Sequence, residues 1–214
     1  MVRRYILTAL VVFAGLECAT ICAAPQAGLI SPTWELDVEF MDPQRITIST
    51  PAGNQTYWYV LYRVINRTGK DVRFFPSFRI VTNTLKVVDA GDEVHPGVYD
   101  AIASRHRVDF PFFAPPAKVT GLILQGATNA RESAAVFKTF DPEASSFRVY
   151  MGGFAGEKVR VNNTAFDPAK EESEVNPRSF LVQRTLEITY DLPGDPQTRG
   201  YAKPIRRDRQ WVMR

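Results

Sequence analysis

Apolar and polar residues alternate with a period of two along most of the chain, a spacing that belongs to strands whose two faces meet different surroundings. Trp34, Leu36, Val38 and Phe40 alternate with Glu35, Asp37 and Glu39, which predicts a strand with one face in a core and one in water. Asp42-Pro43-Gln44 is expected to turn the chain, with Ile46 and Ile48 alternating against Arg45, Thr47 and Ser49 as it returns. The run 57–65 is apolar at nearly every position and rich in aromatic and β-branched residues, so a long central strand covered on both faces is predicted. Asn66-Arg67-Thr68-Gly69-Lys70-Asp71 then ends it with turn chemistry.

Shorter strands are expected over 72–75, 78–82, 85–88, 119–124, 133–139, 147–152, 158–161 and 210–213. Leu186, Ile188 and Tyr190 set against Thr185, Glu187 and Thr189 predict a late strand with Ile188 in the core and Glu187 in water. One helix is predicted over about 96–107, where Val98, Ile102 and Arg105 share a face and Pro96 suits a first turn. Asp100 early and Arg105, His106 and Arg107 late complement the helix dipole. Residues 163–178 read as a long polar loop, expected to be mobile. Many short strands, one helix and no alternating strand–helix pattern point to an all-β antiparallel sandwich with that helix inserted.

The first 24 residues break the pattern. Arg3 and Arg4 precede an apolar stretch from Tyr5 to Leu16, and a small-residue run, Ala19-Thr20-Ile21-Cys22-Ala23-Ala24, follows. That order describes a signal peptide over 1–24, cut after Ala23 or Ala27, ahead of a single domain over 30–214. Glu17 ends the apolar part well short of the roughly 20 residues that a spanning helix needs, so no stable membrane span is expected after cleavage. Glu17 before Cys18 and Ile21 before Cys22 are poor contexts for lipid attachment. Both cysteines of the chain fall in this leader. The mature protein therefore has no thiol nucleophile, disulfide or thiolate metal site, although it enters a compartment where disulfides survive.

Composition narrows the field further. Apolar residues at 45% and charged residues at 23% are ordinary for a globular domain and exclude a disordered or multi-span membrane chain. The formal charge of +3 falls by one unit when Arg3, Arg4 and Glu17 leave, too little to drive binding to nucleic acid. Charge is unevenly placed: Glu171, Glu172 and Glu174 share one loop, and Arg199, Lys203, Arg206, Arg207, Arg209 and Arg214 crowd the C-terminus. These segments are expected to be solvated or attracted to one another, with the basic end as a candidate docking patch.

Candidate chemistry is sparse. His95 and His106 are the only histidines, which limits general-base catalysis to a hydrolase built on one of them, with Asp100 or Asp109 beside His106 and Ser104 as the nearby hydroxyl. No Gly-x-Ser-x-Gly elbow, dinucleotide fingerprint or Walker loop occurs. Asp89, Asp92, Glu93 and His95 form one oxygen- and nitrogen-rich cluster without the spacing of a calcium loop. Gly152, Gly153 and Gly156 suggest a hairpin bend. Tyr57, Trp58 and Tyr59 suggest a sugar-stacking platform, but consecutive strand residues face opposite ways, so core packing is favoured. The sequons at Asn54, Asn66 and Asn162 read as chance matches in turn-rich sequence. The residues thus nominate no catalytic, cofactor or metal site.

The strand ending in Asn66-Arg67-Thr68-Gly69 and followed by Phe74-Phe75-Pro76 resembles the second and third strands of bacterial immunoglobulin-like modules. Phe40-Met41-Asp42-Pro43, Tyr57-Trp58-Tyr59, Leu124-Gln125-Gly126, Phe140-Asp141-Pro142, Pro193-Gly194-Asp195 and Trp211-Val212-Met213-Arg214 extend a resemblance to exported proteins of planctomycete bacteria over most of the chain. That resemblance implies an immunoglobulin-like sandwich and bacterial export, and carries over no activity or site residue. The expectation is a non-enzymatic protein of the periplasm, cell surface or exterior that contacts another protein or an envelope polymer, with a His95 or His106 hydrolase, a metal-binding enzyme, or a carbohydrate-binding module as alternatives.

Overall fold

The computed structural model describes residues 33–139 and 141–214, so the predicted leader with Cys18 and Cys22 lies outside the described residues. In chain order the elements are β1 (Asp37–Phe40), β2 (Gln44–Thr50), β3 (Gly53–Asn66), β4 (Val72–Phe74), β5 (Ser77–Thr82), β6 (Val87–Asp89), α1 (Gly97–Arg105) and α2 (Pro116–Val119). There follow β7 (Gly121–Ile123), β8 (Gly126–Lys138), β9 (Ser146–Gly152), β10 (Lys158–Asn162), β11 (Ser179–Asp191), α3 (Pro196–Arg199) and β12 (Ile205–Met213). All pairings between named strands are antiparallel.

The long aromatic strand β3 organises the first sheet. It pairs with β8 over residues 57–64, with β1 over 62–65 and with β2 over 53–59. A strand has two edges, and β8 overlaps both other partners, so β1 and β2 lie end to end along the edge opposite β8. The expected turn at Asp42-Pro43-Gln44 is therefore absent, and the chain runs straight on. From Phe40 to Gln44 the edge strand advances four residues while β3 advances three, from Tyr62 to Tyr59. This is a one-residue bulge, which reverses the face to which alternate side chains point.

The second sheet runs β6, β5, β9, β11, β12, with β10 extending the line of β9 along the same edge of β11. Its inner face carries Phe78, Ile80, Phe147, Val149, Met151, Leu186, Ile188 and Tyr190. These pack against Trp58, Val60, Tyr62 and Val64 of β3 and against Ala135 and Phe137 of β8. The all-β antiparallel sandwich is thus as the alternation predicted. The odd-numbered side chains of β3, Tyr57, Tyr59 and Leu61, form a second core on the outer face of the first sheet with Ile46, Ala134 and Val136. Helix α1 closes it with Val98 and Ile102. Burial of β3 on both faces, foreseen from its composition, is met by a sheet on one side and a helix on the other. The two further short helices, α2 and α3, have no apolar period of their own and were not expected.

Residues 153–157 do not form a hairpin bend. They leave the edge of β11 between β9 and β10 and bond to the start of the first sheet, with Leu36 N donating to Phe154 O at 2.8 Å and Gly156 N to Trp34 O at 2.9 Å. Phe154 is carried into the main core against Tyr62, Phe74 and Phe78. Gly153 sits at φ +87°, and a Cβ there would lie 2.2 Å from Phe75 O, so the crossing requires glycine. At the other end of β3, buried Asn66 donates to Lys70 O at 2.8 Å and Ile123 O at 2.9 Å. It serves the turn, and its burial leaves no room for a glycan.

Ile188 is 0% exposed between Leu186 and Tyr190, and Ile188→Asp should destabilise by on the order of several kcal/mol, because a carboxylate has no partner there. The companion expectation for Glu187 is corrected. Its side chain is only 13% exposed, accepts from Gln210 Nε2 at 3.0 Å and has Arg148 Nε at 3.9 Å, so Glu187→Ala should cost about 1 kcal/mol, not the few tenths typical of a solvated position. Urea melts of both variants check this; equal losses would contradict it. Gly153→Ala should cost roughly 2 kcal/mol or more through strain at positive φ and the clash with Phe75, read as a lowered midpoint at unchanged urea dependence.

Candidate functional site

The bulge between β1 and β2 opens one side of the sandwich. Residues 40–45 form one wall of a cleft of about 660 Å³, with Trp58 at its back and Tyr201, Ala202, Lys203, Pro204 and Arg206 opposite. Read locally, Asp42-Pro43 is a turn and the 201–206 segment part of a charged tail. The cleft appears only when the edge strand and the β12 lead-in are brought together.

Arg45 pairs in register with Trp58, so both point toward the interior of the sandwich. Its guanidinium lies 5.6 Å from the Trp58 ring centre and 4.8 Å from that of Tyr201, within cation–π range of both. Arg45 Nε is buried without a hydrogen-bond partner, and no carboxylate among the described residues pairs with this side chain. Lys203 is exposed beside it, also without an ion pair among the described residues.

Asp42 stands on the bulge itself. Its Oδ1 accepts from Tyr190 Oη at 3.0 Å, from Arg206 Nε at 2.8 Å and from Arg206 Nη2, joining the two sheets across the cleft. Burial, together with the Asp42 charge, pushes the Tyr190 hydroxyl up, so it donates at all physiological pH. Asp42 Oδ2 accepts nothing among the described residues. Arg206 in turn lies 4.8 Å from the Phe40 ring centre.

Behind the cleft, α1 braces the first turn of β2. Gln44 Oε1 accepts from Tyr59 Oη at 3.0 Å, Tyr59 Oη meets His106 Nε2 at 2.8 Å, and Arg105 Nη1 donates to Arg45 O at 2.8 Å. Buried His106 also packs edge-on to Phe110. Desolvation, and secondarily the Arg105 charge, hold its pKa below the usual histidine value. It is therefore a neutral packing residue that takes nothing from the helix dipole, contrary to part of the expectation.

The other candidates are dispersed. Ser104 Oγ donates to Asp100 O at 2.8 Å, and His95 Nδ1 accepts from Gly97 N at 3.1 Å, so neither histidine meets Ser104; the hydroxyl that His106 meets is the Tyr59 phenol, in the core. Asp89 pairs with Arg79, and Glu93 with Lys138 at 2.9 Å; no group of three His, Cys, Asp or Glu able to hold a metal occurs among the described residues. Trp58 is 3% exposed and belongs to the core, while Tyr57 and Tyr59 face the helix. The basic end is no single patch: Arg199 donates to Gly194 O and Glu143 O, Arg207 pairs with Asp191, and Arg214 stacks on Tyr150. Glu172 pairs with Arg178 of its own loop, so the acidic loop and the basic end each find partners elsewhere. No helix among the described residues is long and apolar enough to cross a membrane. No family model, curated protein or solved structure matches the chain.

The state of His106 fixes a sign. Its folded pKa lies below the ordinary value near 6.5, so between the two the unfolded chain binds a proton that the native state refuses, and stability falls as pH drops through that window. Urea melts from about pH 7.5 to about pH 5 should show this loss, and His106→Gln should remove part of it; an unchanged pH dependence in the variant would contradict the assignment.

Proposed function

We propose that the chain is an exported, non-catalytic sandwich protein that binds an anionic partner of the cell envelope or exterior through the cleft at the edge-strand bulge. The observation that carries this reading is Arg45, a guanidinium held between Trp58 and Tyr201 with no carboxylate of its own. A cation fixed in place by two rings and left uncompensated is preorganised for an anion, because little side-chain freedom remains to be lost on binding. Lys203 adds a second positive charge at the mouth.

The leader pattern over 1–24 supports export, as does the likeness to exported planctomycete proteins. The scattered positions of His95, His106 and Ser104 support binding over turnover. The modest net charge favours a local contact over wrapping of nucleic acid.

The purified protein should bind soluble polyanions, with polygalacturonate, polyglutamate and polyphosphate as probes. Binding should weaken steeply from about 0.1 M to about 1 M salt as the screening length contracts from roughly 10 to 3 Å. Arg45→Gln with Lys203→Gln should abolish most of it, while Arg207→Gln, on the outer face, should not. Polyanion binding unaffected by the cleft variants would overturn the reading. Mass spectrometry of the native N-terminus tests export: a chain beginning after residue 23 or 27 is expected, and an intact Met1 refutes it.

A further inference from the structure

Resting on that anion-binding reading, we infer that the cleft takes an acidic sugar, a uronic-acid-type unit whose carboxylate meets Arg45 and Lys203 and whose ring hydroxyls donate to Asp42. The cleft offers more than positive charge. Asp42 Oδ1 is saturated by Tyr190 and Arg206, whereas Oδ2 is free and held in a fixed direction by those same bonds. A fixed cation and a fixed acceptor on one wall call for a ligand that carries both an anion and hydroxyl donors.

Other anions meet this wall less well. A phosphate polymer has no donor for Asp42 Oδ2, and its dense charge would face the carboxylate at close quarters. An amino acid or peptide terminus would bring an ammonium, but Arg206 already neutralises Asp42, which leaves an acceptor and not a counter-charge. A fatty acid would leave both Asp42 Oδ2 and the polar lip unpaired.

Tyr201 supplies the remaining element. Its ring is 83% exposed, and Arg45 covers one face. The other face, turned away from Arg45, is open to stack on the C–H side of a neighbouring sugar ring of the same polymer, a use to which tyrosine is suited because one end is apolar and the other wet. At about 660 Å³ the cleft falls in the range of small-ligand sites, roughly 300–1,000 Å³. It therefore fits a short stretch or an end of such a polymer.

Isothermal titration of the purified protein with oligogalacturonate, a charge-matched oligoglutamate and a neutral oligogalactose tests this assignment. Oligogalacturonate is expected to bind at least about tenfold more tightly than either control, with Tyr201→Ala and Arg45→Gln each removing about tenfold. Tyr201→Ala, at an exposed position, is expected to leave the fold intact, which circular dichroism verifies. Oligoglutamate binding as tightly as oligogalacturonate, with the same Arg45 dependence, would overturn the sugar assignment and leave the anion-binding reading standing. Binding of neither anion, or of the neutral sugar equally, would overturn both.

Discussion

Burial of β3 on both faces is the constraint from which the rest of the architecture follows. Its even-numbered side chains enter the sandwich and its odd-numbered ones enter the core beneath α1. The strand along its edge must serve both cores in succession: Leu36, Val38 and Phe40 feed the first, Ile46 and Ile48 the second. An unbroken strand with period two cannot do so, since all five residues would share one face. One extra residue between Phe40 and Gln44 resolves the conflict. The bulge also lifts Asp42 out of the ladder and turns Arg45 inward, creating the cleft without any dedicated loop.

The two sheets are tied together by two quite different means. Residues 153–157 cross from the second sheet to Trp34 and Leu36 of the first through backbone hydrogen bonds. Asp42 does the same with side chains, accepting from Tyr190 and Arg206. Away from the cleft, buried Glu132 accepts from Arg63 Nε at 2.7 Å and from Phe112 N at 2.9 Å. A carboxylate taken out of water is tolerable only when satisfied in this way. Arg45 is one of several cations outside ion pairs among the described residues; what distinguishes it is its place on the cleft wall against two rings, with Nε buried and unbonded. On the proposed reading, an anionic ligand supplies the partner that this guanidinium lacks.

Much of the fold was legible because it depends on local alternation. The inward positions Leu36, Leu186 and Ile188 are identifiable from their neighbours alone, the two-sided burial of β3 from its composition, and α1 from the spacing of Val98 and Ile102. What the sequence concealed depends on register between distant segments. Asp-Pro-Gln has the same composition in a turn and in a bulge, and only pairing with Tyr62 and Tyr59 decides between them. The glycines at 152, 153 and 156 likewise fit a hairpin until Phe75 and Trp34 are seen against them. Glu187 reads as solvated because alternation distinguishes faces, not how far Gln210 and Arg148 cover one of them. The cleft combines a bulge at 41–43 with a segment about 160 residues later, and neither carries a motif. In the sequence alone Arg206 is one charge among several, and its partner Asp42 a turn residue.

Whether the bulge forms a ligand site is decided by a residue-resolved measurement. Amide resonances of the isotopically labelled protein, followed during titration with polygalacturonate, report where binding occurs irrespective of affinity. Shifts are expected at residues 40–45, Trp58 and 201–206, with weaker effects relayed to Tyr59 and His106 behind Gln44. Shifts centred on the outer face of the second sheet, around Arg79, Arg148 and Arg207, with the bulge unmoved, would contradict it.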